Sequence, residues 1–270
     1  MGFLGGLSAL AVFVVAEGVQ AHPMLDLGLF RRASFVGAIW AMFAYAACAQ
    51  VMASLLPLFL QNGLGHTPLE AGFAMLPFAS TMLVFPNVGR AIGRRLSSRG
   101  ILSLGLLVVG IGSGLTAWGA RIGERPVVMS GMLVLGSGGG LLNGETQKAI
   151  MSQVPRERAG MASGISTTSR FSGILLGFAI LSGVLATIVR GEMTPPRCIA
   201  AACTPSFAES VVAGDLPGAL AGLGGQARSA ALEHARDAYS RGFSGALAAS
   251  AGAAMISSLV VFRLMRRPRR

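Results

Sequence analysis

Apolar residues run along this chain in long stretches almost free of charge, and every second gap between them is rich in arginine. Residues 33–65, 71–89, 100–120, 126–144, 171–189 and 242–262 each contain such a run. About 20 apolar helical residues are needed to cross the hydrocarbon core of a bilayer. An earlier run, 2–16, is a little short and lacks the basic flank of a signal peptide. It reads as a spanning helix whose beginning is missing. The pattern predicts an all-α integral membrane protein with six complete transmembrane helices preceded by one partial helix.

Loops rich in Lys and Arg are expected on the cytoplasmic side. With the carboxyl end inside, Arg31 and Arg32, then Arg90, Arg94, Arg95 and Arg99, then Lys148, Arg156 and Arg158 all fall on that same side. Fourteen of the 22 basic residues are then cytoplasmic, and the short outer loops hold Arg121 and Arg125. The expected location is the cell membrane, multi-pass, with the carboxyl terminus in the cytoplasm and the amino end outside.

The net charge of +11 changes this picture little. A nucleic-acid surface clusters its basic residues on one soluble face, often with aromatics for stacking. Here they are spread one cluster per inner loop, mean hydropathy is +0.64 and 12% of residues are charged. Topology and attraction to anionic lipid heads account for them, and no nucleic-acid partner is expected.

Residues 191–240 form a long outer loop with Pro195, Pro196, Pro205 and Pro217 early. It is too poor in large apolar residues to make its own core. The stretch 226–241 has helix-forming composition and leads into the last span as an exposed extension. Cys198 and Cys203 lie in this loop, where an oxidising compartment permits a disulfide, and two free thiols are the alternative. Cys48 sits in an apolar span as a buried thiol. No further ligands gather near the cysteines to make a metal site. His22, His66 and His234 read as solvated side chains.

In lipid, small residues at four-residue spacing let helix backbones approach. Gly136, Gly140 and Gly144 make one such stripe, Gly110 and Gly114 another, Ser169, Gly173 and Gly177 a third, and Gly245, Ala249 and Ala253 a fourth. Pro57, Pro77 and Pro86 predict kinks or local unwinding.

The segments HPMLDLGLFRRASF, LPLFLQNGLGHTPLEAGFAMLP, PNVGRAIGRRLSSRG, GSGGGLLN and VPRERAGMASGISTTSRFSGILLGFAILSG follow one another in this order. Together they resemble the carboxyl half of a 14-helix drug:proton antiporter of the major facilitator superfamily, over nearly the whole chain. The resemblance implies a carboxyl-terminal six-helix bundle over 34–270, with the outer loop at 191–240, after a partial helix and cytoplasmic linker over 1–33. It also implies small hydrophobic, cationic substrates and a proton gradient, with no cofactor, as the energy source. Such antiporters have a first bundle of six helices, which is absent from these 270 residues. The expected partners are therefore the lipid bilayer and either the missing amino-terminal bundle or a second copy. Arg90, Gly93, Arg94 and Arg95 occupy the place of the family's gating loop, but no Asp lies between Arg90 and Gly100, so charge-relay gating there is not expected.

An ionisable side chain at membrane depth is a functional candidate by default. Glu145 and Lys148 are three apart and can pair on one helix face near the inner end of the 126–144 span, structurally or as a proton relay. Asn143 and Gln147 flank them. Arg170 is an interfacial anchor if its helix begins at Phe171. If the helix begins near Ala159, as the resemblance implies, Arg170 lies about 16 Å in. The polar run Ser163, Ser166, Thr167, Thr168 and Ser169 would then line the same half of the helix. Glu70 opens a span from outside at a helix amino terminus, where the dipole stabilises a carboxylate.

Three classes of function compete. A secondary transporter places substrate between two bundles, of which this chain supplies one. A non-transporting membrane partner bundle is the alternative. An integral-membrane enzyme is disfavoured, because the spans hold no histidine or aspartate and Glu145 as their sole acid, too little for acid/base or metal chemistry.

Overall fold

The computed structural model describes Gly5, Val12 and residues 27–194 and 204–266. Among these, the regular structure is entirely helical. A 3₁₀ turn at Leu27–Arg31 leads into α1 (Ala33–Tyr45), a π-helical turn (Ala46–Gln50) and α2 (Val51–Asn62). Then come α3 (Pro68–Ala74), α4 (Leu76–Ile92), α5 (Ser98–Ile122), α6 (Arg125–Leu142), α7 (Glu145–Met151) and α8 (Ala159–Glu192). The outer segment holds α9 (Pro205–Ala213) and α10 (Leu216–Ala219), and α11 (Gly225–Leu264) closes the chain. Six of the described spans are long and apolar enough to cross a membrane.

Five spans pack side by side in the order α4, α6, α5, α11, α8, and the α1–α2 span lies among them against α8 and α11, touching α5 and α6. That central place explains its side chains. Phe35, Met42, Tyr45, Met52 and Phe59 are fully buried, and the Phe59 ring stacks on Phe243 of α11 at 4.4 Å. Lipid offers no hydrophobic drive between helices, so contact depends on close packing and on hydrogen bonds between helices. Three serines of α11 supply such bonds. Ser244, Ser250 and Ser258 donate to the carbonyls of Ala117, Cys48 and Ser103 at 2.8, 3.3 and 2.7 Å.

The tightest glycine packing joins α5 to α6 at seven-residue spacing. A methyl on Gly112 would meet the Leu135 Cα at 2.6 Å, one on Gly119 the Val128 nitrogen at 2.6 Å, and one on Gly138 the Val109 nitrogen at 2.7 Å. Gly105 and Gly131 complete the two rows, against Leu142 and Thr116. Such a repeat suits helices crossing at about 20°. Gly136 and Gly140 do form the expected stripe, facing α4 at Phe78, Met82 and Phe85. Gly144 does not belong to it. It has φ +89°, touches nothing that a Cβ would meet, and ends α6 so that Glu145 starts a separate helix. In α11 the buried row is Gly242, Ala246, Ser250, Ala254 and Ser258, while Ala249 and Ala253 are exposed.

Next to Pro77 the chain is interrupted between α3 and α4, and Pro57 and Pro86 lie inside helices. Thr67 and Glu70 form a reciprocal capping box at the start of α3, so Glu70 is a structural carboxylate.

The outer segment departs from the expectation of an exposed extension. Phe207, Val211, Leu216 and Leu220 are buried, and so are Ala231, Ala235 and Tyr239 on the first turns of α11. Few apolar residues suffice because they pack on the bundle's outer end instead of on one another. His234 is half-buried with Nε2 3.3 Å from the Glu192 carbonyl, and His66 is likewise half-buried. Cys198, Cys203, His22 and nearly all of the 2–16 run lie outside the described residues.

Impermeant thiol reagents test the orientation. With native cysteines replaced, a cysteine at Gln226 is expected to label in intact cells and one at Arg266 to label after lysis. The reverse pattern inverts the topology.

Candidate functional site

Arg170 is placed by helix α8, which begins at Ala159 and continues unbroken past it. No helix starts at Phe171. The rise per residue puts Arg170 about 16 Å from the start of its helix, and Tyr45 about 18 Å from the start of α1. Both helices start at the same arginine-rich end, so the two side chains lie at a similar height in the bundle.

Ser166, Arg170, Gly173 and Gly177 follow the i, i+4, i+7, i+11 spacing of one helix face. Methyls on Gly173 and Gly177 would lie 2.5 Å from the Phe43 carbonyl oxygen and 2.7 Å from that of Ala47. The Ser169 hydroxyl donates to the Ile39 carbonyl at 3.1 Å. The face carrying Arg170 is thus the one seated on α1. Arg170 is half-buried, and its charge acts on the Tyr45 phenol.

Opposite lies the π-helical turn, a local widening often found at functional sites. Tyr45 precedes it and Gln50 ends it. The Tyr45 hydroxyl and the Gln50 Oε1 are both buried, short of strict hydrogen-bonding geometry but close enough to interact with each other. The sequence signal for Tyr45 and Gln50 was present, two hydrogen-bonding side chains inside an otherwise apolar run.

Of the other candidates, Ser166 and Ser169 are buried within the bundle, and Thr167 and Thr168 are exposed. Glu145 and Lys148 do pair, at 3.1 Å, with Glu145 buried and Lys148 exposed. They sit on α7 beyond the Gly144 break, and Asn143 and Gln147 beside them are exposed. This set belongs to the arginine-rich end, and Arg170 lies further along the bundle. In the loop after α4, Arg94 and Arg95 are exposed, Arg90 bonds to Asn87, and Gly93 caps the helix with ordinary right-handed backbone. Nothing there forms a charge relay among the described residues.

The polar face can offer the Arg170 cation and part of Gln50 to a solute, whereas Tyr45 is fully buried. It holds no carboxylate. The family profile described as Major Facilitator Superfamily matches residues 1–178. The chain belongs to the major facilitator superfamily. Its members are multi-pass membrane transporters and not enzymes, in keeping with the span pattern.

This facilitator chain is 36% identical over 186 residues to the multidrug resistance protein Stp of Mycobacterium tuberculosis, covering 68% of the chain and 34% of that protein. It is 27% identical to the multidrug efflux pump LfrA of Mycolicibacterium smegmatis, over 98% of the chain and 52% of the pump. The tetracycline resistance determinant of Streptomyces rimosus is 30% identical over 71% of the chain and 56% of its own length. The facilitator chain thus spans between about a third and just over a half of these curated relatives.

Proposed function

We propose that this facilitator bundle, residues 34–270, is the carboxyl-terminal half of a proton-driven multidrug efflux transporter of the plasma membrane, with its own carboxyl terminus in the cytoplasm. What supports the reading is the family together with the drug-resistance and efflux proteins that the chain resembles, with Arg170 half-buried in a helix long and apolar enough to span. Repeat-built transporters hold substrate near the midplane between two bundles and rock one against the other. The spans 68–92 and 156–192 bury least of all six, so their faces are open to a second bundle. That second bundle is an amino-terminal half or a second copy. The relatives are named for multidrug resistance, multidrug efflux and tetracycline resistance, so drugs are the substrates proposed. Arg170 would orient a polar group of the substrate, while the Glu145–Lys148 pair anchors α7 at the interface and carries no proton.

The test joins this bundle to the amino-terminal half of LfrA and expresses it in cells lacking their own pumps. Export of a hydrophobic dye is expected to rise over empty-vector cells and to collapse when a protonophore is added. Export that survives the protonophore would remove proton coupling from the account.

A further inference from the structure

The arginine-rich end of the bundle holds a cavity of about 1140 Å³ that the face of Arg170 does not use. Its walls bring together Ser34 from the start of α1, Ser97, Ser98 and Arg99 from the start of α5, Gln153 beyond α7, and Arg266 beyond α11. Two cations therefore line it, and no acid does among the described residues.

The arginines of this end fall into two kinds. Arg94 and Arg95 are exposed, as topology signals need to be. Arg99 is turned in. Its guanidinium carbon stacks 3.7 Å from the centre of the Phe262 ring, and its buried Nε has no hydrogen-bond partner. Stacking fixes the plane of the guanidinium and leaves its edge to bind, the arrangement that recognises phosphate oxygens in pairs.

The helix starts add to this. Ser97 holds the cap position of the 25-residue α5, yet its side chain makes no capping bond, so the first backbone N–H groups of that helix keep their need for an acceptor. The Ser34 hydroxyl is engaged with Gln153 at 2.7 Å, while no hydrogen bond among the described residues engages the side chain of Ser97 or Ser98. The donors of Ser97, Ser98, Arg99 and Arg266 thus point to one acceptor-rich, negatively charged group.

We propose that this cavity binds the phosphate of an anionic phospholipid headgroup. Its size exceeds that of a bare phosphate and suits a glycerophosphate with the beginning of its acyl chains. Ala149 and Met265 give it an apolar edge near the end of α11. Anionic lipids are also drawn to basic segments at the membrane surface.

Native mass spectrometry of the purified 270-residue chain in detergent tests this. Phosphatidylglycerol and phosphatidylcholine with the same acyl chains are added at equal concentration. Retention of the anionic lipid is expected to exceed that of the zwitterionic one by roughly tenfold. Arg99→Gln and Arg266→Gln should each remove most of that preference, and Arg121→Gln at the opposite end should leave it intact. If Arg99→Gln cannot be purified, the Ser97→Ala, Ser98→Ala double variant carries the test. Equal retention of the two lipids, or a preference untouched by these variants, overturns the proposal. Displacement of the lipid by millimolar glycerol 3-phosphate would make the ligand a soluble phosphate and overturns the lipid assignment.

Discussion

Arg170→Ala in a joined two-bundle transporter is expected to reduce drug export by about ten- to hundredfold, the value of hydrogen bonds to a charged group at a desolvated site. Insertion should be unchanged, because the substitution neither shortens the 34-residue α8 nor touches the glycines that seat it on α1. Arg170→Lys keeps the charge but loses the planar fork, so it should fall between wild type and Ala. Tyr45→Phe removes one buried hydroxyl beside Gln50 and should weaken export less. The measurement is dye export at equal membrane abundance. Undiminished export in Arg170→Ala would make the arginine structural.

Gly112→Ala is expected to be the most damaging single methyl in the bundle. The added carbon falls on the backbone of Leu135, 2.6 Å from its Cα, and backbone cannot rotate away as a side chain can. Overpacking typically costs about 1–3 kcal/mol, and this site belongs at or beyond the upper end. Gly164→Ala and Gly183→Ala lie in α8 with nothing within 4 Å of the added methyl. They should be neutral or stabilising by up to about 1 kcal/mol through helix propensity. Thermal unfolding of the detergent-solubilised chain distinguishes the two classes. Equal midpoints for Gly112→Ala and Gly183→Ala would refute the packing account.

The spans were legible in the sequence because crossing a bilayer depends on the summed transfer of consecutive side chains, a local property. The pairing of helices was less so. Four-residue spacing picked out Gly173, Gly177, Gly136 and Gly140 correctly, but the closest approach runs through Gly105, Gly112, Gly119, Gly131 and Gly138 at spacing seven. A row on a helix is a packing row only relative to a neighbour, and in α11 the row chosen from sequence was three residues off the one that Gly242 and Ser250 form. The break at Gly144 carried a signal that went unread, since Asn-Gly inside an apolar run is a turn dipeptide. The π-helical turn carried none, because its residues, AACAQ, suit an α-helix equally well. Arg170 was legible as a buried cation, but its neighbours Tyr45 and Gln50 come from 120 or more positions earlier, and only the fold brings them opposite.

The central claim is that this bundle forms a transport path only together with a second one. Reconstitution in vesicles carrying a proton gradient, with a fluorescent hydrophobic cation as reporter, tests it most directly. A monomer of the 270-residue chain is expected to give no proton-driven dye movement, and the chain joined to an amino-terminal bundle is expected to give movement that a protonophore stops. Proton-driven movement by the chain without any other bundle would contradict the account.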